Sequence, residues 1–167
     1  CRKVEIQYRN RNTRRINKRI VHPYGFLYGH RHYLVAYNLV KGAQGYRLFS
    51  LPNIERVLPQ DDYFERDEGF SLEAFSQQSF GVFQEAPFQV AWRFSPRAAV
   101  DAQDFLFHPD QETELQQDGS LIVRFTAGGA LEMCWHLYAW GADVEVLEPQ
   151  ALRDMVNNDR QSWPGLP

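Results

Sequence analysis

Phe88-Gln89-Val90-Ala91-Trp92-Arg93-Phe94, followed at once by Ser95-Pro96, is the stretch from which the fold can be read. Phe88, Val90, Trp92 and Phe94 alternate with Gln89, Ala91, Arg93 and Ser95, the period of two of a half-buried strand. Serine is a good helix N-cap and proline suits the first helical position, so Ser95-Pro96 predicts a helix, with Ala98, Ala102 and Phe105 as its apolar stripe. Glu112–Gln117 and Ser120–Thr126 then read as two strands joined by Asp118-Gly119, a two-residue hairpin signal, with Leu121, Val123 and Phe125 as the buried parity. Gly128-Gly129 leads into a second helix, where Leu131, Cys134, Trp135 and Tyr138 stand at i, i+3, i+4 and i+7, and Gly141 ends it. Val144–Leu147 is a further strand, and Pro149 precedes a short last helix using Leu152, Met155 and Val156. The order β-α-β-β-α-β predicts a ferredoxin-like domain over residues 81–160, with 161–167 as a tail that looks frayed from Ser162 on.

Upstream the reading changes to strands alone. Val4, Ile6 and Tyr8 alternate with Lys3, Glu5 and Gln7, and Arg9–Arg15 is a polar connection. Ile16, Lys18 and Ile20 share a parity, and Pro23 and Gly25 punctuate the chain after Val21. Tyr33–Tyr37 is apolar on both faces, as a central strand would be. Gly42 and Gly45 bracket a turn before Tyr46–Leu51, and Ile54–Leu58 is a short final strand. Five short strands with short loops predict a small β-barrel over residues 1–66. Residues 67–80 read as a linker containing a short helix from Ser71, its N-cap, towards Phe80.

A chain of 167 residues with 44% hydrophobic and 23% charged residues has the composition of a globular protein. Disordered, collagen-like and disulfide-scaffold classes are excluded, and no apolar run approaches the ~20 residues of a membrane span. No membrane partner is expected. The chain opens at Cys1, already in strand-like sequence, and is read as a fragment with something missing upstream. Cys134 is expected to be a buried free thiol, in keeping with a cytoplasmic setting.

The net charge of −3 hides a division. Residues 1–66 hold thirteen Lys/Arg against five Asp/Glu, a net +8, whereas residues 67–167 hold five against sixteen, a net −11. Half of all the cations fall within residues 1–31, so only the first module is suited to an anionic partner.

Catalytic signatures are lacking: there is no Gly-rich phosphate loop, no GxSxG elbow and no HExxH. An enzyme is not expected, nor a cofactor. His22, His30 and His32 are close in sequence but have no CxxC or clustered acids beside them, so no metal site is expected.

Three runs in the first module, Lys18-Arg19-Ile20-Val21-His22-Pro23-Tyr24, His32-Tyr33-Leu34-Val35-Ala36-Tyr37 and Tyr46-Arg47-Leu48-Phe49-Ser50-Leu51, resemble the WYL domain of bacterial transcriptional regulators. In the second, Trp135-His136-Leu137-Tyr138-Ala139-Trp140-Gly141, then Val144–Pro149 and Leu152-Arg153, is similar to the C-terminal extension called WCX. The resemblance implies an Sm-like, SH3-type barrel that senses a ligand, in characterised cases single-stranded nucleic acid. It implies an upstream winged helix-turn-helix that binds operator DNA, and an extension that helps form a homodimer. The family's namesake tryptophan is His32 here. Of three arginines usual in the later segment Arg47 is kept, while Ser50 and Asn53 take the other two places and Arg56 follows.

Arginine offers phosphate a planar donor fork, and tyrosine or histidine rings stack on unpaired bases. Tyr8, Arg9, Arg19, His22, Tyr24, Tyr33, Arg47 and Arg56 are therefore the candidate contacts for single-stranded DNA or a small anionic effector. Tyr8, Tyr24 and Tyr33 equally suit core positions, and Arg47 a structural ion pair. Trp140 falls off the helical stripe and is the candidate dimer contact. A protein-interaction module without a small ligand and an Sm-like RNA-binding module are the two alternatives.

Overall fold

The structure is a computed structural model that describes residues 1–10, 13–28 and 32–158. Arg11, His30, Arg31 and the expected tail lie outside the described residues. The chain divides into two compact units after Ala74.

The first unit is an antiparallel sheet of β1 (Arg2–Arg9), β2 (Ile16–Tyr28), β3 (His32–Asn38), β4 (Gly45–Ser50) and β5 (Ile54–Tyr63), in the order β4-β3-β2-β1-β5. Tyr33, Leu34, Val35 and Ala36 are all buried, which makes β3 the doubly covered strand that its sequence predicts. Ile6, Val21, Leu34, Ala36 and Phe49 form the core on one face. The expected closed barrel is not formed. β4 and β5 are the sheet's two edges, and a one-turn 3-10 helix, Leu51–Asn53, carries the chain from one to the other. The sheet still curls: the rings of Tyr8 on β1 and Phe49 on β4 meet edge-on at 5.4 Å, although two strands separate them in the ladder.

Two strands exceed their expected lengths. β2 continues through His22-Pro23-Tyr24-Gly25, where a break was expected, because the ladder absorbs the interruption in a bulge. Pro23 faces Ala36 and Gly25 faces Val35, leaving Tyr24 as the extra residue. β5 passes Leu58 and runs to Tyr63, and Pro59 sits opposite Val4. Proline is tolerated there because β5 is an edge strand. α1 (Leu72–Gln77) follows, and the Ser71 Oγ accepts the Ala74 N–H at 3.1 Å as its cap.

The second unit contains β6 (Phe88–Phe94), α2 (Ala99–Gln103), β7 (Glu112–Leu115), β8 (Leu121–Ala127), α3 (Ala130–Trp140), β9 (Val144–Glu148) and α4 (Gln150–Asn157). Its sheet is antiparallel in the order β7-β8-β6-β9. Val90, Trp92 and Phe94 join Leu121, Val123, Phe125 and Val146 on one face, under Ala102, Met133, Cys134, Leu137 and Leu152 from the helices. Burial pushes the Cys134 thiol up to about 11, so it stays protonated at neutral pH. Among the described residues no helix is long and apolar enough to cross a membrane.

Three local expectations need correction here. α2 starts at Ala99, after a turn in which the Ser95 Oγ accepts the Ala98 N–H, and it ends before Phe105, which is exposed. The hairpin loop has three residues: Gln116 and Ser120 still bond, Gly119 donates to the Gln116 carbonyl, and its φ of 82° marks a left-handed bulge position. α3 is rotated from the expected phase. Cys134 of the expected stripe is buried, but with Met133 and Leu137, while Leu131 and Trp135 are half-buried and Tyr138 is exposed. The helix is apolar on both of these faces, so periodicity alone does not choose between them.

Two carboxyl groups fix the entry to α3. The Glu85 side chain accepts the N–H groups of Gly129 and Ala130, at 3.1 and 3.0 Å, capping the helix start. Glu132, itself buried, accepts the Val82 N–H at 2.9 Å and the Phe83 N–H at 2.9 Å. Glu132→Ala leaves the buried Val82 N–H without its acceptor and is expected to lower stability by about 1–3 kcal/mol. Glu132→Gln keeps one carbonyl acceptor and should cost less. Chemical denaturation of the two variants checks both the size and the order, and equal losses would refute this role.

Candidate ligand-binding surface

Register in the first sheet decides which candidates share a face. Ile6 of the core faces Arg19, Leu34 faces Phe49, and Ala36 faces Arg47. Tyr8, Arg19 and Arg47 therefore share the core's parity. Gln7 faces both Lys18 and Arg56, so Arg9, His22 and Arg56 belong to the opposite, outer parity, with Tyr33 opposite Leu27 and Ser50. The bulge keeps Tyr24 on that outer face as well, where its ring meets Tyr46 and Phe64. The eight candidates thus fall into two groups.

Their environments differ too. Tyr24 and Tyr33 are buried, and Tyr8 is half-buried against Phe49. The Arg9 guanidinium is held by Glu55. Arg2 lies near Asp61, Lys3 near Asp62 and Lys18 near Glu5. Arg19, Arg47 and Arg56 have no acidic partner among the described residues. Arg47 and Arg56 are exposed, and Arg19 is half-buried with its Nε unbonded. A half-buried cation without an acceptor is costly unless an anion arrives, which makes Arg19 suited to phosphate, and the exposed Arg47 and Arg56 have no acid to displace among the described residues.

The outer face carries a feature that the sequence reading passed over. His22, Tyr37 and Tyr46 stand in register across β2, β3 and β4. Their rings form a row, with centroids 6.2 Å apart for His22–Tyr37 and 5.2 Å for Tyr37–Tyr46. Phe64 stacks on His22 at 4.2 Å and Phe70 on Tyr46 at 4.0 Å. Between them the Tyr46 hydroxyl donates to Asp67, whose own N–H donates to the Tyr24 hydroxyl. Burial and this hydrogen-bonding push the Tyr46 phenol far up, so it stays a donor. Burial and then the nearby Lys3 charge push the His22 imidazole down, and its Nε2 is buried without a partner. The turn at Gly42–Gly45 holds the signal for this row, since it places Tyr37 opposite Tyr46.

His32 is exposed on the core parity, edge-on to Tyr28, and so lies across the sheet from His22. Among the described residues no three His, Cys, Asp or Glu side chains gather as metal ligands. Trp140 is half-buried in the second unit. Its ring packs edge-on to Phe94 at 4.9 Å, and its Nε1 donates to the His136 Nε2 at 3.2 Å.

Known proteins agree with this arrangement of two units. Residues 1–59 match the WYL domain and residues 86–161 match the WCX domain. Among solved structures the chain is similar to the proteasome accessory factor B/C (PafBC) of Arthrobacter aurescens, with 22% identity and a TM-score of 0.38. That similarity covers 93% of this chain but 23% of the other, so the chain spans only a minor part of that relative's length. No curated protein matches the chain. With both matches in the order in which the two sheets occur, the chain carries a WYL domain followed by a WCX domain.

Proposed function

We propose that the chain is the effector-sensing and dimerising C-terminal region of a bacterial transcriptional regulator. The WYL unit binds single-stranded DNA or another nucleotide-containing anion, and this changes operator binding by an upstream winged helix-turn-helix. The WYL and WCX matches support a regulatory, ligand-sensing region. The curled five-stranded sheet is read as an opened Sm-like barrel, and the β7-β8-β6-β9 sheet as a ferredoxin-like variant that joins two subunits near Trp140. Such a region needs no catalytic group and works in the cytoplasm, where the operator is.

The observation that carries the reading is the sorting of cations. Arg2, Lys3, Arg9 and Lys18 each have an acid within 4.0 Å, whereas Arg19, Arg47 and Arg56 have none among the described residues. Arg19 and Arg47 are also positions at which the chain resembles the family. An effector acts only through a difference in affinity for two states of the regulator.

Fluorescence anisotropy with a short single-stranded oligonucleotide at several salt concentrations tests this. Arg47→Ala is expected to weaken binding and to reduce the log–log salt slope by about 0.7, the share of one phosphate on a single strand. The double variant Arg9→Ala/Glu55→Ala removes a self-neutralised pair and should leave the slope unchanged. Equal slopes for wild type and Arg47→Ala would place the anion elsewhere. In the full-length regulator, operator affinity should shift when the oligonucleotide saturates, and an unchanged affinity would refute the sensing role.

A further inference from the structure

We propose that the ring row His22–Tyr37–Tyr46, with Tyr24 beside it, is a base-stacking site, and that the segment Phe64–Phe70 is its internal occupant. The proposal rests on the reading above, that the WYL unit takes single-stranded nucleic acid. It adds where the bases lie and what they must displace.

The occupant is built like the ligand it would exclude. Two flat rings, Phe64 and Phe70, lie nearly parallel to the two ends of the row, at interplanar angles of 10° and 24°. Between them in sequence, Asp67 sets a carboxyl group on the Tyr46 hydroxyl at 2.9 Å. Ring, acid, ring is also the order of base, phosphate, base along a single strand. The middle of the segment, residues 65–69, is exposed; beside the two rings and the Asp67 contacts, the Phe64 backbone pairs with Cys1 and the Arg66 guanidinium donates to the Tyr24 carbonyl at 3.2 Å and lies over the Tyr24 ring.

The fit is incomplete at one atom. Phe64 covers the imidazole of His22 but offers it no hydrogen bond, and Nε2 is left buried and unbonded. A buried polar atom without a partner is a standing cost. A nucleobase in the place of Phe64 would keep the stack and bring polar edge atoms that a phenyl ring lacks. Aromatic platforms take any base because every base has a π face, so the site would be tolerant of sequence. Of the three arginines, Arg56 shares the row's outer parity, whereas Arg19 and Arg47 lie on the core parity, so bases on the row would bring their phosphates to Arg56 alone of the three.

The test uses the full chain, a short oligothymidine, and two variants that loosen the segment. Phe70→Ala removes the ring on Tyr46; Asp67→Ala removes the acceptor of the Tyr46 hydroxyl and alters no core residue. Both are expected to tighten oligothymidine binding, Phe70→Ala by about five- to tenfold, the size of one lost aromatic contact. Trypsin cleavage after Arg66 is the second readout, and oligothymidine should accelerate it in the wild-type chain as the segment lifts. Binding in wild type with neither tightening in Asp67→Ala nor faster cleavage would overturn the internal occupant and leave the nucleic-acid reading standing. No binding by wild type or by either variant would overturn both. Binding by the variants alone would support the occupant most strongly.

Discussion

The single extra residue in β2 governs the first unit. A strand alternates its side chains, so an unbroken β2 would send His22, Tyr24 and Phe26 to one face and Pro23 and Gly25 to the other. The bulge between Pro23 and Gly25 cancels that alternation once. Tyr24 joins His22 on the outer face, Gly25 follows it there opposite Val35, and Phe26 returns to the core parity opposite Leu34. Proline suits the point where the ladder is already interrupted, since it has no N–H to give. Glycine suits the next position for a different reason: a Cβ there would run into the Leu72 side chain, which lies against the Gly25 backbone. The same short stretch therefore sets Tyr24 and the bare Gly25 backbone together on the outer face and opens the space that the Leu72 side chain fills.

Electrostatics then separates cations that hold the fold from cations left for something else. Arg9 and Glu55 close the junction of β1 with β5, where the register shifts by one residue. Lys18 and Glu5 link β1 to β2 in the same way. Such exposed pairs contribute little, about 0–1 kcal/mol each, but they cancel charge locally. Most of the +8 of residues 1–66 is thus carried by cations without an ion pair among the described residues, Arg19, Arg47 and Arg56 among them.

Much of this was legible in the sequence. β1, β6 and β8 follow their apolar alternation, β3 is buried on both faces and β9 forms where a strand was expected, and Gly128-Gly129 and Gly141 bound α3 as expected. What failed did so for identifiable reasons. Leu131/Trp135/Tyr138 and Met133/Cys134/Leu137 are both apolar, so the phase of α3 was settled by the sheet beneath it. Asp118-Gly119 looks alike in a two-residue and a three-residue loop, and only the Gln116–Ser120 bond distinguishes them. Glu85 and Glu132 cannot be told from the solvated acids of an acidic module until their N–H partners, 44–50 residues away in the chain, are known. For the candidate site, residue types and Arg19 and Arg47 were accessible. The division between two faces was not, because it depends on the cross-strand register, and a slip of one residue exchanges the face of every side chain in a strand.

The outer face also shows why an aromatic surface in a basic unit need not be exposed. A row of three in-register rings left bare on a sheet invites self-association, since contiguous apolar surface is costly in water. The returning segment covers the ends of that row with Phe64 and Phe70, yet its central residues are acidic and face solvent. Moving this cover means exchanging the two rings, the Asp67 hydrogen bonds and the Arg66 contacts with Tyr24. Reciprocity applies to any ligand that competes for the row: whatever binding energy the segment subtracts from the ligand, the ligand subtracts from the segment's hold on the sheet. The segment leads in sequence into α1, so a ligand that displaced it would act on the stretch of chain just before the second unit.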